Sequence, residues 1–325
     1  MTKRSPQRQA GRSERFLTPQ GLRTYPLRSR SSRVTTSRFA KVLGPEPTVA
    51  ELIRSLPRFL AAEDFRIFIA RLRRARARKR PILAGCGGHV IKVGLTPVLV
   101  DLMKGGWLTG LALNGAGIIH DFEVAFAGRT SEDVRAEVRT GRFGMARETG
   151  AWLNAVIREG AAAGLGLGEA VGRMISRSGF RYRRLSLLAN AYELGVPVTV
   201  HVAVGADIIH FHPGADGAAL GETSLRDFFR FCALLAAGEG GGAYLNIGSA
   251  VILPEVFLKA VSFVRNKGAR LDDFTTAVFD FNRHYRPEQN VVLRPLGRQG
   301  KGFYFVGPHE LLVPLLAAVL KSRRV

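Results

Sequence analysis

The 325-residue chain is 46% hydrophobic, enough to bury one large core or two smaller ones, and no apolar run approaches the ~18 residues that would mark a membrane span. Its net charge of +22 is concentrated in residues 1–41, where eleven Lys/Arg face only Glu14, and in residues 66–80, where eight face no acid. Cys86 and Cys232 have neither metal nor redox spacing and the N-terminus lacks a signal-peptide apolar stretch, so a disulfide scaffold is excluded and a reduced, cytoplasmic setting is expected.

Residues 1–44, rich in Arg, Ser, Thr and Gln, predict a basic, largely disordered tail through which nucleic acid can be held. Residues 45–325 are expected to form a single domain. Residues 48–79 predict two helices, the first opened by a capping box between Thr48 and Glu51. In the second, Phe65, Phe68, Ile69 and Leu72 share one face while Arg71, Arg73, Arg74, Arg76 and Arg78 cover the rest. That helix can pack on the body or meet a polyanion; packing is preferred because a strand follows at once.

Residues 81–121 predict a strand, the turn Gly85-Cys86-Gly87-Gly88-His89, a helix over 90–104, a second strand, and the turn Asn114-Gly115-Ala116-Gly117 before Ile118-Ile119-His120-Asp121. Glycines between a buried strand and a helix let backbone N–H groups approach a phosphate. Neither turn has the G-x-G-x-x-G spacing, and tight turns in a sheet account for the same glycines. Residues 131–163 follow helical patterns and 164–168 interrupt them with glycine. Helices are then expected over 182–194, 224–237, 254–267 and 310–321, and strands over 198–204, 243–245, 275–281 and 303–306. This alternation predicts an α/β protein with a Rossmann-like, doubly wound, mostly parallel sheet flanked by helices.

His89, His120, His210 and His212 follow or end strands, where α/β ligand sites form. In an extended segment His210 and His212 point to one side. With Asp121 and Asp207 they offer acid–base chemistry near neutrality or, alternatively, a divalent-metal site for a hydrolase or lyase. His201 reads as core. His284 and His309, with Arg283 and Arg286, are candidates for holding an anion.

The runs from Gly85 to Gly94 and Leu113 to Asp121, then Pro197-Val198 through Asp207-Ile208-Ile209-His210-Phe211-His212, then Asn246-Ile247-Gly248-Ser249, resemble deoxyhypusine synthase in order and spacing. The closing Leu311-Leu312-Val313-Pro314-Leu315-Leu316 resembles that family's last helix. The resemblance implies a homotetramer that binds NAD at subunit interfaces, oxidises spermidine and transfers its aminobutyl group through an active-site lysine. Position by position it implies cofactor contacts at Gly88, His89, Asn114, Gly115, Ala116, Gly117, Asn246, Ile247, Gly248 and Ser249. It also makes His120, Asp121 and Asp207, joined by His210 and His212, the candidate catalytic groups. The family's Trp-Gly-Lys segment has no counterpart in residues 285–298, which contain neither Lys nor Trp, and Ile252 stands in place of its catalytic His. The expected activity is therefore NAD-dependent oxidation or transfer on an amine, a polyamine or a related small metabolite, not deoxyhypusine synthesis. A non-enzymatic, nucleic-acid-associated protein is the remaining alternative.

Overall fold

The computed structural model describes residues 16–322. The chain divides into Met1–Phe39 and Ala40–Val325, a boundary slightly before the expected one. In the first unit the described residues form two single 3-10 turns, Leu27–Ser29 and Thr36–Arg38, without a buried residue. The first fifteen residues of the expected disordered tail lie outside the described residues.

The second unit is built on six strands: β1 (Ile82–Cys86), β2 (Gly110–Asn114), β3 (Val198–His201), β4 (Ala243–Ile247), β5 (Thr275–Asp280) and β6 (Lys301–Val306). They form one parallel sheet in the order β3-β2-β1-β4-β5-β6. Every residue of β1, β4 and β5 is buried, the continuous burial of a sheet covered on both faces. The helices are α1 (Val49–Ser55), α2 (Leu60–Ala77), α3 (Gly88–Lys92), α4 (Thr96–Lys104), α5 (Gly115–Ala127), α6 (Val134–Val138) and α7 (Arg147–Ala162), followed by α8 (Leu167–Arg177), α9 (Leu187–Glu193), α10 (Gly217–Ala236), α11 (Ile252–Asn266), α12 (Tyr285–Pro287) and α13 (His309–Lys321). One layer packs α2, α5 and α13 on the sheet; there Phe68 meets Phe279, Phe303 and Phe305 at ring separations of 5.5–5.7 Å. The other packs α10 and α11 around Tyr244 and Phe257, stacked at 4.1 Å.

The capping box of α1 is present as expected, Glu51 N–H donating to Thr48 and Thr48 N–H to Glu51. Residues 90–104 hold two helices instead of one, because Gly94 adopts φ 76° and Pro97 restarts the chain at the first turn of α4. The helix expected over 182–194 is a 3-10 turn, Arg183–Leu185, followed by α9. Residues 208–211, expected to be extended, form a 3-10 turn.

The arginines of α2 are spent within the fold. Arg66 donates to carbonyls at the end of α1, Ile53 and Leu56 among them. Arg73 donates to Val319 and Ser322 at the end of α13, and Arg76 donates to Gly105 at the end of α4 while lying 4.2 Å over the Trp107 ring. Arg71 and Arg74 pair with Asp273. Cations at helix carboxyl ends complement the backbone dipole, so this row stabilises three helix termini.

Candidate functional site

In an open parallel sheet a ligand crevice forms beyond the carboxyl ends of the strands, where the strand order reverses. Here the reversal falls between β1 and β4. The turns after these strands are drawn together: Gly87 N–H donates to Ile247 O at 2.9 Å, and a Cβ on Gly87 would collide with the Gly248 carbonyl. Gly248 has φ 66°, and a Cβ there would come within 3.1 Å of the His309 imidazole.

Three rings roof this point. His89, after β1, lies 5.5 Å from His309 at the start of α13 and 6.0 Å from Phe281 after β5; Phe281 and His309 are 5.8 Å apart. His89 and Phe281 are exposed, and His309 is fully buried beneath them. His309 Nε2 donates to Phe279 O at 3.1 Å, which leaves Nδ1 a buried acceptor without a partner among the described residues. Asp280 is its counterpart at the end of β5: Oδ1 lies 3.6 Å from His284 Nε2, and buried Oδ2 has no partner among the described residues. Burial lowers the His309 pKa.

The half of the crevice over β2 and β3 has the opposite character. Asn114 caps α5 by accepting from Gly117 N–H at 3.1 Å, and Asp207 lies against Gly115, where a Cβ would collide with its carboxylate. The turn expected to cradle a phosphate is thus filled by an acid. Burial raises the Asp207 pKa to about 6. His210 accepts from Gly205 N–H through Nδ1 at 3.1 Å, and its Nε2 points toward Asp207 at 3.9 Å. His120, one turn into α5, touches the space above Gly88 and bonds through Nδ1 to Thr130 at 2.7 Å.

The remaining sequence candidates are placed elsewhere. Asp121 is fully buried and accepts from Ser186 Oγ and from the amides of Leu187 and Leu188, which anchors the start of α9; burial raises its pKa to about 6. His212 bonds to Gly144 O at 2.7 Å and packs on Gly150, away from His210, because the 3-10 turn rotates the two side chains apart. Asn246 donates to Ser249 O and Ser249 accepts from Leu253 N–H, so both shape the turn from β4 to α11. Ala116 packs on Gly88, and Ile247 is buried in β4. His201 is buried and bonded to Thr199. Among the described residues no group of three or more His, Cys, Asp or Glu is gathered to hold a metal ion, and no described helix is long and apolar enough to cross a membrane.

The sequence reading missed a cleft of about 670 Å³ beside the carboxyl end of α5. Glu123, Glu132, Asp133, Glu137 and Glu148 line it against two arginines, Arg129 and Arg142, with Phe122, Phe126 and Met145 as apolar wall. Glu132 is fixed by accepting from Gly144 N–H, and Glu123 by accepting from Thr130 and Thr149. These acids come from α5, α6, α7 and the loop before α6, and their convergence depends on how those segments fold together.

Sheet and crevice together define an α/β protein with a crevice at a topological switch point. No family model matches the chain, and no curated protein does. Similar solved chains include ArgZ, an arginine dihydrolase of the cyanobacterial ornithine–ammonia cycle, with 16% identity and a TM-score of 0.49 over 82% of this chain and 33% of that one. A candidate LOR/SDH protein from Methanococcus maripaludis S2 shows 13% identity and a TM-score of 0.48 over 87% of this chain and 72% of that one. A candidate deoxyhypusine synthase from Entamoeba histolytica shows 11% identity and a TM-score of 0.47 over 84% of this chain and 93% of that one. The family resembled in sequence is thus represented among the structural neighbours. At these scores the likeness says nothing of activity. The chain spans about a third of the length of ArgZ.

Proposed function

We propose that the protein is a deoxyhypusine synthase-like, NAD-dependent oxidoreductase or transferase acting on an amine, a polyamine or a related small metabolite. The observation that carries this reading is the strand order, whose reversal between β1 and β4 brings two contrasting half-sites to one crevice. On the β1–β4–β5 side, exposed His89 and Phe281 offer faces for a planar ring. Beneath these rings, His309 Nδ1 and Asp280 Oδ2, buried and without a partner among the described residues, are acceptors for the hydroxyl or amino donors of a nucleoside that displaces the rings. The residues present fit a dinucleotide there, with its phosphates away from Gly115, where Asp207 already supplies negative charge. When bound, the nicotinamide supplies a hydride acceptor; the protein supplies orientation, water exclusion and proton acceptors.

On the β2–β3 side, Asp207 at the first turn of α5 and the carboxylates of the cleft near its last turn suit a cationic substrate. His120 sits between them, and no residue occupies the role of a Schiff-base lysine in this proposal. The homotetramer implied by the sequence resemblance and the cytoplasmic setting expected from the cysteines belong to the same reading, and light scattering measures the first.

Calorimetric titration with NAD and NADH tests it. Binding is expected, with Phe281→Ala weakening it about tenfold, or ~1.4 kcal/mol, followed by amine-dependent NADH absorbance. A folded protein that binds neither form sinks the reading.

A further inference from the structure

Thr130 returns to α5 through an unusual backbone path. Gly128 closes the helix at φ 69°, with Tyr182 packed where its Cβ would be, and Ser131, which has a side chain, adopts φ 74°. A left-handed conformation in a residue other than glycine is strained and persists only where its surroundings impose it. The result is one chain of hydrogen bonds: His120 Nδ1 to Thr130 Oγ1 at 2.7 Å, and Thr130 Oγ1 to Glu123 Oε2 at 2.5 Å. Thr149 Oγ1 donates to the other Glu123 oxygen at 3.1 Å.

The direction of these bonds follows from the groups themselves. An ionised carboxylate only accepts, and a hydroxyl has one hydrogen to give. Thr130 gives its hydrogen to Glu123, so it faces His120 with a lone pair, and His120 Nδ1 must carry the imidazole hydrogen. Nε2 is then the basic nitrogen, and it has no hydrogen-bond partner among the described residues. The ring lies 3.0 Å, through Cδ2, from the position a Cβ would take on Gly88 at the turn after β1.

We infer that His120 is the proton acceptor of the crevice and that Thr130 and Glu123 are positioning residues that fix its tautomer with Nε2 free. The inference rests on the proposed function only for the identity of the proton, which leaves a substrate N–H or O–H for Nε2. Burial, then the charges of Lys92 and His89, lowers the His120 pKa to about 4. The ring is therefore neutral at neutral pH, with a lone pair on Nε2.

The tautomer is measured on the full chain without cofactor or substrate. Long-range proton–nitrogen correlation spectra of protein labelled with nitrogen-15 in histidine distinguish the two neutral forms, and His120→Gln assigns the signal. The wild type and Thr130→Ser, which keeps the hydroxyl, are expected to show the Nδ1–H form at neutral pH. Thr130→Val is expected to shift His120 toward the Nε2–H form. An Nε2–H wild type, or a folded Thr130→Val that keeps the Nδ1–H pattern, overturns the proposal. The wild-type spectrum stands as a test even if Thr130→Val fails to fold. Failure of the nucleotide reading appears separately, as absent NAD binding with the tautomer intact. With an amine turnover assay, His120→Gln should lower kcat at least about a hundredfold, whereas Thr130→Val should lower it less, with KM held and Thr130→Ser restoring it. Unchanged kcat in His120→Gln would also overturn the assignment.

Discussion

At Gly115 the missing Cβ makes room for a carboxylate, which changes what a glycine in this turn means. Gly115→Ala should cost about 1–3 kcal/mol through overpacking against Asp207, and Asp207→Ala in the same chain should recover most of it. A double-mutant cycle by urea denaturation measures that coupling. A tolerated Gly115→Ala would indicate an open cradle instead. Asp227 allows a second test, on pH. Its Oδ2 accepts from Gly168 N–H at 2.8 Å and Val200 N–H at 2.7 Å, while Oδ1 is buried and unpaired among the described residues. Burial raises its pKa to about 7 from 3.8, so the folded state holds this proton more tightly than the unfolded one. Its contribution to stability is full below the unfolded value and is lost as pH rises through the folded value. Asp227→Asn should therefore flatten the decline of Tm across that window; Asp121 and Asp207, also raised to about 6, act in the same direction and remain in the variant. The sequence exposed the glycine turns but not their occupants, because Asp207 and His309 come from distant parts of the chain.

At the scale of elements, strand and helix types were largely legible, since buried parallel strands leave short apolar runs and amphipathic helices leave a 3.6-residue period. The failures have local causes. The stretch Gly164-Leu165-Gly166-Leu167-Gly168 looks like a helix breaker, yet Gly166 caps α8 and Gly168 lies inside its first turn, where a Cβ would collide with the Val198 carbonyl. Close packing on β3 outweighs glycine's helix cost of ~1 kcal/mol. The basic face of α2 allows packing or polyanion contact, packing being the preferred reading, and its destinations separate them. Arg71 donates to Thr275 Oγ1 at 2.7 Å and to Asp273 at 3.0 Å with its side chain mostly buried. Arg71→Ala should cost about 1–3 kcal/mol, whereas exposed Lys79→Ala should stay within about 0.5 kcal/mol. Thermal and urea unfolding of the two variants measure the contrast; equal, negligible losses would leave the row available for a polyanion.

The molecule as a whole puts one chemistry over the switch point and the other on the β2–β3 flank beside it. Histidines and aromatic rings gather over β1, β4 and β5, and carboxylates gather along α5 and beside its end. Gly115 and Glu123 are separated by about 12 Å along a helix that rises 1.5 Å per residue, so negative charge flanks His120 at two separated places. A linear diamine can meet both ends, and a monoamine only one. If the acid cleft selects substrate, the triple change Glu132→Gln, Glu137→Gln and Glu148→Gln should weaken diamine binding about tenfold or more while changing monoamine binding little. The diamine affinity of the wild type should also fall with added salt, as exposed charge pairs are screened over a Debye length of ~10 Å at 0.1 M. Calorimetry with both probes at two ionic strengths measures these differences. Equal losses for the two amines would place the ammonium group common to both in the cleft, and no loss for either would remove the cleft from substrate binding and leave Asp207 as the recognising charge.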